Sequence, residues 1–370
     1  MAEALPTWSI VDNEEASHTI TVTKKIASGL QGLVFEATMD DKHILVKQMI
    51  IIDNLYKKTQ LLYLRQQISV EIDLVTKLSA CSALSSGFTC FRGIAAPNDF
   101  IETLPAESST YYYTSHETLL IYDFLPGKEL FKYLAEDQDS ATPILTDVRK
   151  ISIIRQLLQI LVKQADNDII SRDIKLENLM YNHETDVLKI IDYGFGCKRA
   201  TCNLKTFQGS TGYIAPEIYS VKVKSEHALA VDMFAAGMAI FTLLHNWSIF
   251  GVHAHVVTKP HPTDADVKTY TTTGAYYGET TKDYLNRWFT KTDITENTLP
   301  LILHMIHPDP AKRPTASAAL ATFNEICPVP AVAVGGRRTR SRRRSQSKSK
   351  SKSTSIQRRH WRTVSKRVLR

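Results

Sequence analysis

From Thr21 the chain alternates β-branched and polar residues toward Ile26, then passes through Ala27, Gly29 and Gly32 to Leu33 and Val34, which predicts strand, glycine turn and strand. A short apolar run, Ile44-Leu45-Val46, ends at Lys47, and strand alternation puts Leu45 and Lys47 on one face. Between Gln60 and Leu78 the apolar positions Leu61, Leu64, Ile68, Ile72, Val75 and Leu78 fall in steps of three and four, the signature of an amphipathic helix, and Glu71 lies on it. Leu119 to Leu125 reads as a buried strand entering a turn at Pro126-Gly127, and Val187 to Ile191 as another buried strand. Periodic apolar runs at residues 130–134, 148–164 and 231–244 predict a mainly helical second half. Residues 97–117, polar and containing Tyr111-Tyr112-Tyr113, predict an inserted hairpin or flap, and residues 1–19 a mixed polar extension.

Composition adds two constraints. With 370 residues and 43% hydrophobic content the chain can bury a substantial core, as one two-part unit rather than several independent domains. The net charge of +7 conceals a division: from Arg337 to the end there are 15 Lys and Arg and no acid, which leaves 30 basic against 38 acidic residues before it. That tail, reading RRTRSRRRSQSKSKSKSTS, has no apolar periodicity and cannot form a core, so residues 329–370 are expected to be disordered. Five cysteines, an odd number without the paired spacing of a zinc site, fit a reducing compartment, hence an intracellular location, cytoplasmic or nuclear. There is no charged-then-apolar leader and no uninterrupted apolar run of about 18 residues, so neither secretion nor membrane spanning is expected. His253, His255 and His261 read as loop residues rather than a metal site.

The candidate chemistry sits in SRDIKLENLM, Ser171 to Met180, which supplies a carboxylate, an ammonium and an amide at Asp173, Lys175 and Asn178. Asp192-Tyr193-Gly194 follows the buried strand, placing a second metal-capable carboxylate at a strand end, and Ala215-Pro216-Glu217 completes an ordered series. This series resembles the eukaryotic-type serine/threonine protein kinases, and the resemblance covers roughly residues 20–328. It implies an α+β, bilobal fold with a small β-rich N-lobe carrying one main helix (about 20–122), a hinge (about 123–127) and a larger, mainly helical C-lobe (about 128–328).

The resemblance also implies site roles and two cofactors, ATP and Mg2+. Ala27, Gly29, Gly32 and Val34 would form the phosphate loop and its flank, with Ala27 standing where the family has a first glycine. Leu45, in place of a smaller alanine, and Met180 would lie against adenine, and the backbone of Asp123 and Leu125 would face it, with Tyr122 behind. Lys47, fixed by Glu71, would hold the triphosphate, while Asn178 and Asp192 would hold the metal. Asp173 would act as the base and Lys175 would steady the γ-phosphoryl group. The lysine at 175 and Ser210 indicate the serine/threonine branch. Glu217 with Arg313 would form a buried brace, and Asp232 would hold the catalytic loop through its backbone.

Glu129 and Glu177 match positions where basophilic relatives keep acids for an upstream arginine. Ser171 and Tyr193 replace the family's histidine and phenylalanine. Arg172 is retained, which implies a phosphate on the activation segment, with Thr201, Thr206 and Ser210 as candidate positions. The expected partners are proteins with Ser/Thr acceptors, and nucleic acid through residues 337–370. A compact body with such a tail is similar to kinases encoded by large DNA viruses, for which virion association would follow. Two other readings stand beside this one: a catalytically silent scaffold, favoured by Ser171, Ala27 and Leu45, and a nucleoprotein-packaging protein in which the fold is incidental.

Overall fold

The computed structural model describes residues 5–29, 32–49, 58–79, 87–104, 110–114, 116–138, 140–204, 208–219, 224–246 and 292–328. His253, His255, His261, Thr206 and the basic tail lie outside the described residues.

The first half is built on seven strands: β1 (Thr7–Asp12), β2 (Ser17–Gly29), β3 (Gly32–Met39), β4 (Lys42–Met49), β5 (Phe91–Ala96), β6 (Tyr111–Tyr113) and β7 (Thr118–Asp123). They close into a barrel in the order β1-β2-β3-β4-β7-β5-β6. Alternation works as expected: Ile44 and Val46 point into the barrel with Trp8, Ile10, Phe35 and Ile121, while Leu45 packs against the core on the other side. The β2–β3 hairpin pairs Gly29 with Gly32. Gly32 has φ +148, and a Cβ there would lie 2.0 Å from the Gln48 carbonyl oxygen, so this position admits only glycine.

Closure departs from two expectations. The segment read as an N-terminal extension contributes β1 and the start of β2, with Trp8 and Ile10 buried. The segment read as a hairpin or flap instead forms a short helix, α2 (Asn98–Ile101), and then β6. β6 runs parallel to β5 and pairs with β1 through Val11–Tyr113 and Asp12–Tyr112. Barrel closure removes two sheet edges that would otherwise expose unpaired backbone groups.

His18 stands beside this seam and links β1 to the β3–β4 turn. Its Nε2 lies 3.0 Å from Asp12 Oδ2 and its Nδ1 2.6 Å from Asp40 Oδ2, with the Tyr112 ring edge-on at 5.5 Å. The hydrogen bond to Asp12 raises the His18 pKa above its ordinary 6.5, outweighing burial, and Asp40 adds to it. Because the folded value is the higher one, the stabilisation is complete below about 6.5 and is lost as pH climbs through the elevated value. We therefore expect the melting temperature to fall over that alkaline step, and His18→Gln to flatten this part of the profile; an unchanged profile in the variant would assign the step to another group.

The main helix of this lobe, α1 (Lys58–Leu78), begins two residues before the predicted Gln60 and buries Ile68, Ile72, Leu74, Val75 and Leu78. The second half follows the periodic runs. It contains β8 (Lys128–Glu129), α3 (Leu130–Asp137), α4 (Asp147–Asp166), β9 (Ile169–Ile170), β10 (Leu179–Asn182), β11 (Val187–Ile190), β12 (Cys197–Lys198), α5 (Pro216–Tyr219), α6 (Ala230–His245), α7 (Asp293–Met305) and α8 (Ala316–Ile326). Thr146, Thr292 and Thr315 accept from backbone N–H groups at the starts of α4, α7 and α8. α6 with its preceding turn is apolar and long enough to cross a membrane by composition, but it threads the core. A Cβ at Gly237 would meet Ile306 at 2.6 Å and Met305 at 2.9 Å, so the glycine permits the close crossing of α6 and the end of α7.

Candidate active site

Lys47 leaves β4 on the cleft side and meets two acids from distant parts of the chain. Its Nζ donates to Glu71 Oε1 on α1 at 2.8 Å and to Asp192 Oδ1 at 3.1 Å. Burial works against the ammonium, but Glu71 and Asp192 outweigh it and hold the Lys47 pKa above its ordinary value. Asp192 has φ 69, a left-handed conformation uncommon outside glycine. Burial pushes its carboxyl up, yet Lys47 and the Gly194 N–H, at 2.9 Å from Oδ1, pull it below the ordinary value. The side chain stays 40% exposed.

On the other side, the Asp173 carboxylate is buried and held by three donors. Oδ1 accepts from Ser210 Oγ at 2.7 Å and Oδ2 from Asn178 Nδ2 at 2.8 Å, while Lys175 Nζ lies 2.9 Å from Oδ2 and donates to Ser210 Oγ at 2.6 Å. Ser210 thus joins the loop to the segment carrying Glu217. Asn178 Nδ2 also donates to the Asp173 carbonyl at 2.8 Å, so its amide oxygen is turned away from that carboxylate.

Among the described residues no cluster of three or more His, Cys, Asp or Glu could hold a metal ion unaided. The Asn178 amide oxygen and the Asp192 carboxylate are nonetheless hard oxygen donors, which suit Mg2+ completed by water and phosphate oxygens. The residues present fit that ion.

The brace around this loop is buried. Arg313 Nη1 and Nη2 donate to Glu217 Oε1 and Oε2 at 2.6 and 2.7 Å, with the arginine side chain 0% exposed. Arg313 also donates to the carbonyls of Ala230 and His307. Asp232, at the start of α6, accepts from the backbone N–H of Ser171 at 2.6 Å and of Arg172 at 2.8 Å. Burial pushes its carboxyl up to about 6, with those two donors partly offsetting it. Arg172 points its guanidinium at the carbonyls of Phe195 and Asn203, at 2.5 and 3.4 Å.

Around the expected nucleotide pocket, Tyr122 is buried against Phe91, ring centroids 5.2 Å apart. The Asp123 side chain is taken by Arg92, at 2.5 and 3.0 Å, and Met180 pairs with Glu129 across β10 and β8. Glu129 meets Lys132 at 2.8 Å. Val34 pairs with both Ala27 and Lys47, so these three positions lie side by side across β2, β3 and β4. No hydrogen bond or ion pair marks Leu125 itself.

Three features were not anticipated. Cys197 and Cys202 form a disulfide, with Cα atoms 5.2 Å apart, and Cys90 is also disulfide-bonded. This differs from the reducing compartment inferred from the cysteine count; the turn closed by Thr201 N–H on the Lys198 carbonyl, 3.0 Å, folds the chain back on itself, which spacing alone does not reveal. Lys198 inside that turn forms an ion pair with Asp73 of α1. Gln164, buried near the end of α4, donates to the Tyr193 hydroxyl at 3.0 Å. A polar residue one helical step beyond Leu157 and Leu161 is the signal that could have found it.

Comparisons with known proteins place the chain in a family. The protein kinase domain family matches residues 20–323. The chain is similar to the phosphorylase b kinase gamma catalytic chain, liver/testis isoform, of Mus musculus, 33% identical over 137 residues, 36% of this chain and 32% of that relative. It is similar to the serine/threonine-protein kinase DCLK3 of Mus musculus at 34% over 136 residues, 36% of this chain and 16% of the relative. It is also similar to Aurora kinase C of Mus musculus at 32% over 134 residues, 36% and 45% of the two chains. The match spans about a third of the length of the first of these relatives. With the family covering most of the sequence, this chain belongs to the protein kinase domain family.

Proposed function

We propose that the protein is an ATP- and Mg2+-dependent serine/threonine protein kinase. The observation that carries this reading is Lys47 held between Glu71 and Asp192, at 2.8 and 3.1 Å, with Lys175 of the Asp173 loop near enough for its charge to act on Asp192. In the reaction a substrate hydroxyl oxygen bonds to the γ-phosphorus of ATP, the bond to the bridging oxygen breaks, and ADP leaves. Asp173 orients the hydroxyl and takes its proton as the new bond forms. Lys175 steadies the transferred group, and Lys47 keeps the phosphates in line. Asn178 and Asp192 would hold the magnesium, which neutralises phosphate charge. The set of charges favours an enzyme over a silent scaffold, since Ser171, Ala27 and Leu45 remove none of these groups. The test is labelled ATP with a mixed protein pool, comparing the native chain with Asp173→Ala; equal labelling of Ser and Thr by both would overturn the reading.

Substrate preference follows from two acids on adjoining elements. Glu177 sits in the catalytic loop with its Oε2 buried and without a hydrogen-bond partner, and burial raises its pKa, with Glu129 adding to the rise. An arginine upstream of the acceptor would satisfy both carboxylates. A peptide array should therefore favour Arg-containing sequences, and Glu177→Gln should reduce that preference by about tenfold. Selection of acidic flanks instead would end the proposal.

The 15 basic residues of the tail support contact with nucleic acid or a nuclear-import role. Binding to DNA or RNA should weaken steeply with salt and disappear when residues 337–370 are removed. Undiminished binding by the shortened chain would refute it. Arg342-Arg343-Arg344-Ser345 fits the same basic preference, which makes the tail an autophosphorylation substrate in which each phosphate adds about −1.5 to −2 charge.

A further inference from the structure

Two buried positions in this site are unusual together. Ser171 is small, and its hydroxyl has no hydrogen-bond partner. Tyr193, next to Asp192, carries a hydroxyl that an aromatic hydrocarbon ring would lack, and that hydroxyl accepts from Gln164 Nε2 at 3.0 Å with both groups buried. The Tyr193 ring is tilted against Phe88, centroids 6.5 Å apart. On its other flank Gly196 leaves room, since a Cβ there would meet Leu74 at 2.5 Å and the Tyr193 carbonyl at 2.9 Å. The ring is thus hemmed by Phe88 and by the chain beside α1, and its hydroxyl bonds to Gln164 of α4.

We propose that the Gln164–Tyr193 hydrogen bond is the pin that holds the Asp192 carboxylate in the cleft, making Gln164 and Tyr193 positioning residues. The inference rests on the reading of Asp192 as a metal-holding group. Asp192 occupies a left-handed backbone conformation, which neighbours must maintain. Its own bonds run to Lys47 and to Gly194 two residues on, so neither ties it to the C-lobe scaffold, which the residue before it reaches through the Ile191 N–H on the Asn178 carbonyl at 2.9 Å. Tyr193 does so one residue away, through a helix that packs against α8 and α6. Swinging Tyr193 outward would break this bond and leave Gln164, whose Oε1 already lacks a partner, with both polar groups buried and unsatisfied. A polar pin of this kind does the work that a deeper aromatic stack would do, and Ser171 is too small to extend one.

The test uses the full chain and three variants: Tyr193→Phe, Gln164→Leu and the two combined. Tyr193→Phe keeps the ring and removes one oxygen, so folding is preserved. Two readouts are taken: hydrogen exchange of amides across residues 188–196 without nucleotide, and the Mg2+ concentration giving half-maximal ATP turnover. Each single variant should exchange about three- to tenfold faster in that segment and need a correspondingly higher Mg2+ concentration. kcat at saturating Mg2+ should change less than the requirement itself, and the combined variant should be no worse than the worse single one. Unchanged exchange and Mg2+ requirement in Tyr193→Phe, or losses that multiply in the combined variant, would overturn the pin. Asp192→Asn is run in parallel. If it abolishes the Mg2+ response while Tyr193→Phe does nothing, the pin fails and the metal reading stands; if it leaves the Mg2+ requirement untouched, both fall.

Discussion

Asp173→Ala is expected to lower phosphoryl transfer by about 10²-fold or more while ATP still binds. The carboxylate is where three donors meet: Ser210 at 2.7 Å, Asn178 at 2.8 Å and Lys175 at 2.9 Å. These donors fix its direction, and in the proposed transfer it would be the acceptor for the hydroxyl proton. Removing it therefore takes away the proton acceptor and also releases Asn178 and Lys175 from their common anchor. Because Lys47, Glu71 and Asp192 are untouched, nucleotide affinity should change little, and the loss should fall on kcat. Single-turnover measurement with labelled ATP separates the two. A variant that transfers phosphate at the native rate would remove Asp173 from the chemistry.

The second large effect is on stability. Arg313→Ala should lower stability by about 3 to 5 kcal/mol and the melting temperature by about 10 °C, with activity lost through unfolding. The reason is that Glu217 would be left as a buried charge. The guanidinium supplies both of its oxygens with donors, at 2.6 and 2.7 Å, and also serves the carbonyls of Ala230 and His307. Arg313 lies over the Phe234 ring as well, 5.0 Å from its centre, so the truncation leaves a void against α6. Replacing Glu217 and Arg313 together by apolar residues should cost less than Arg313→Ala alone, because no lone charge remains. An unaltered melting temperature in the single variant would show that the pair carries no load.

Motif spacing brought the candidate site into view from residues alone, because the proposed transfer chemistry demands particular side chains at fixed intervals on one loop. Asp173, Lys175 and Asn178 lie within six residues of each other, and their geometry is local. Strand alternation set Lys47 on one face with Leu45, whereas Glu71 was reached through the family resemblance rather than through the helix period. What stayed hidden was non-local. Tyr111–Tyr113 is too short for a period, and its partners are β5 and a strand about a hundred residues away in sequence. The short, mixed opening of the chain concealed Trp8 and Ile10, whose alternation with Thr7 and Ser9 runs over too few residues to announce a strand. Gln164 was passed over because glutamine on a helix ordinarily faces water, and only the hydroxyl of Tyr193, distant in sequence, gives it a reason to be inside.

The ring of strands in the smaller lobe has a consequence for regulation. A protein that controls its target by lending a strand needs an unpaired rim to join, and β1 against β6 occupies the place where one would be. A regulator of that kind would have to recognise the lobe by side-chain chemistry, or first open the β1–β6 pairing at Val11–Tyr113 and Asp12–Tyr112.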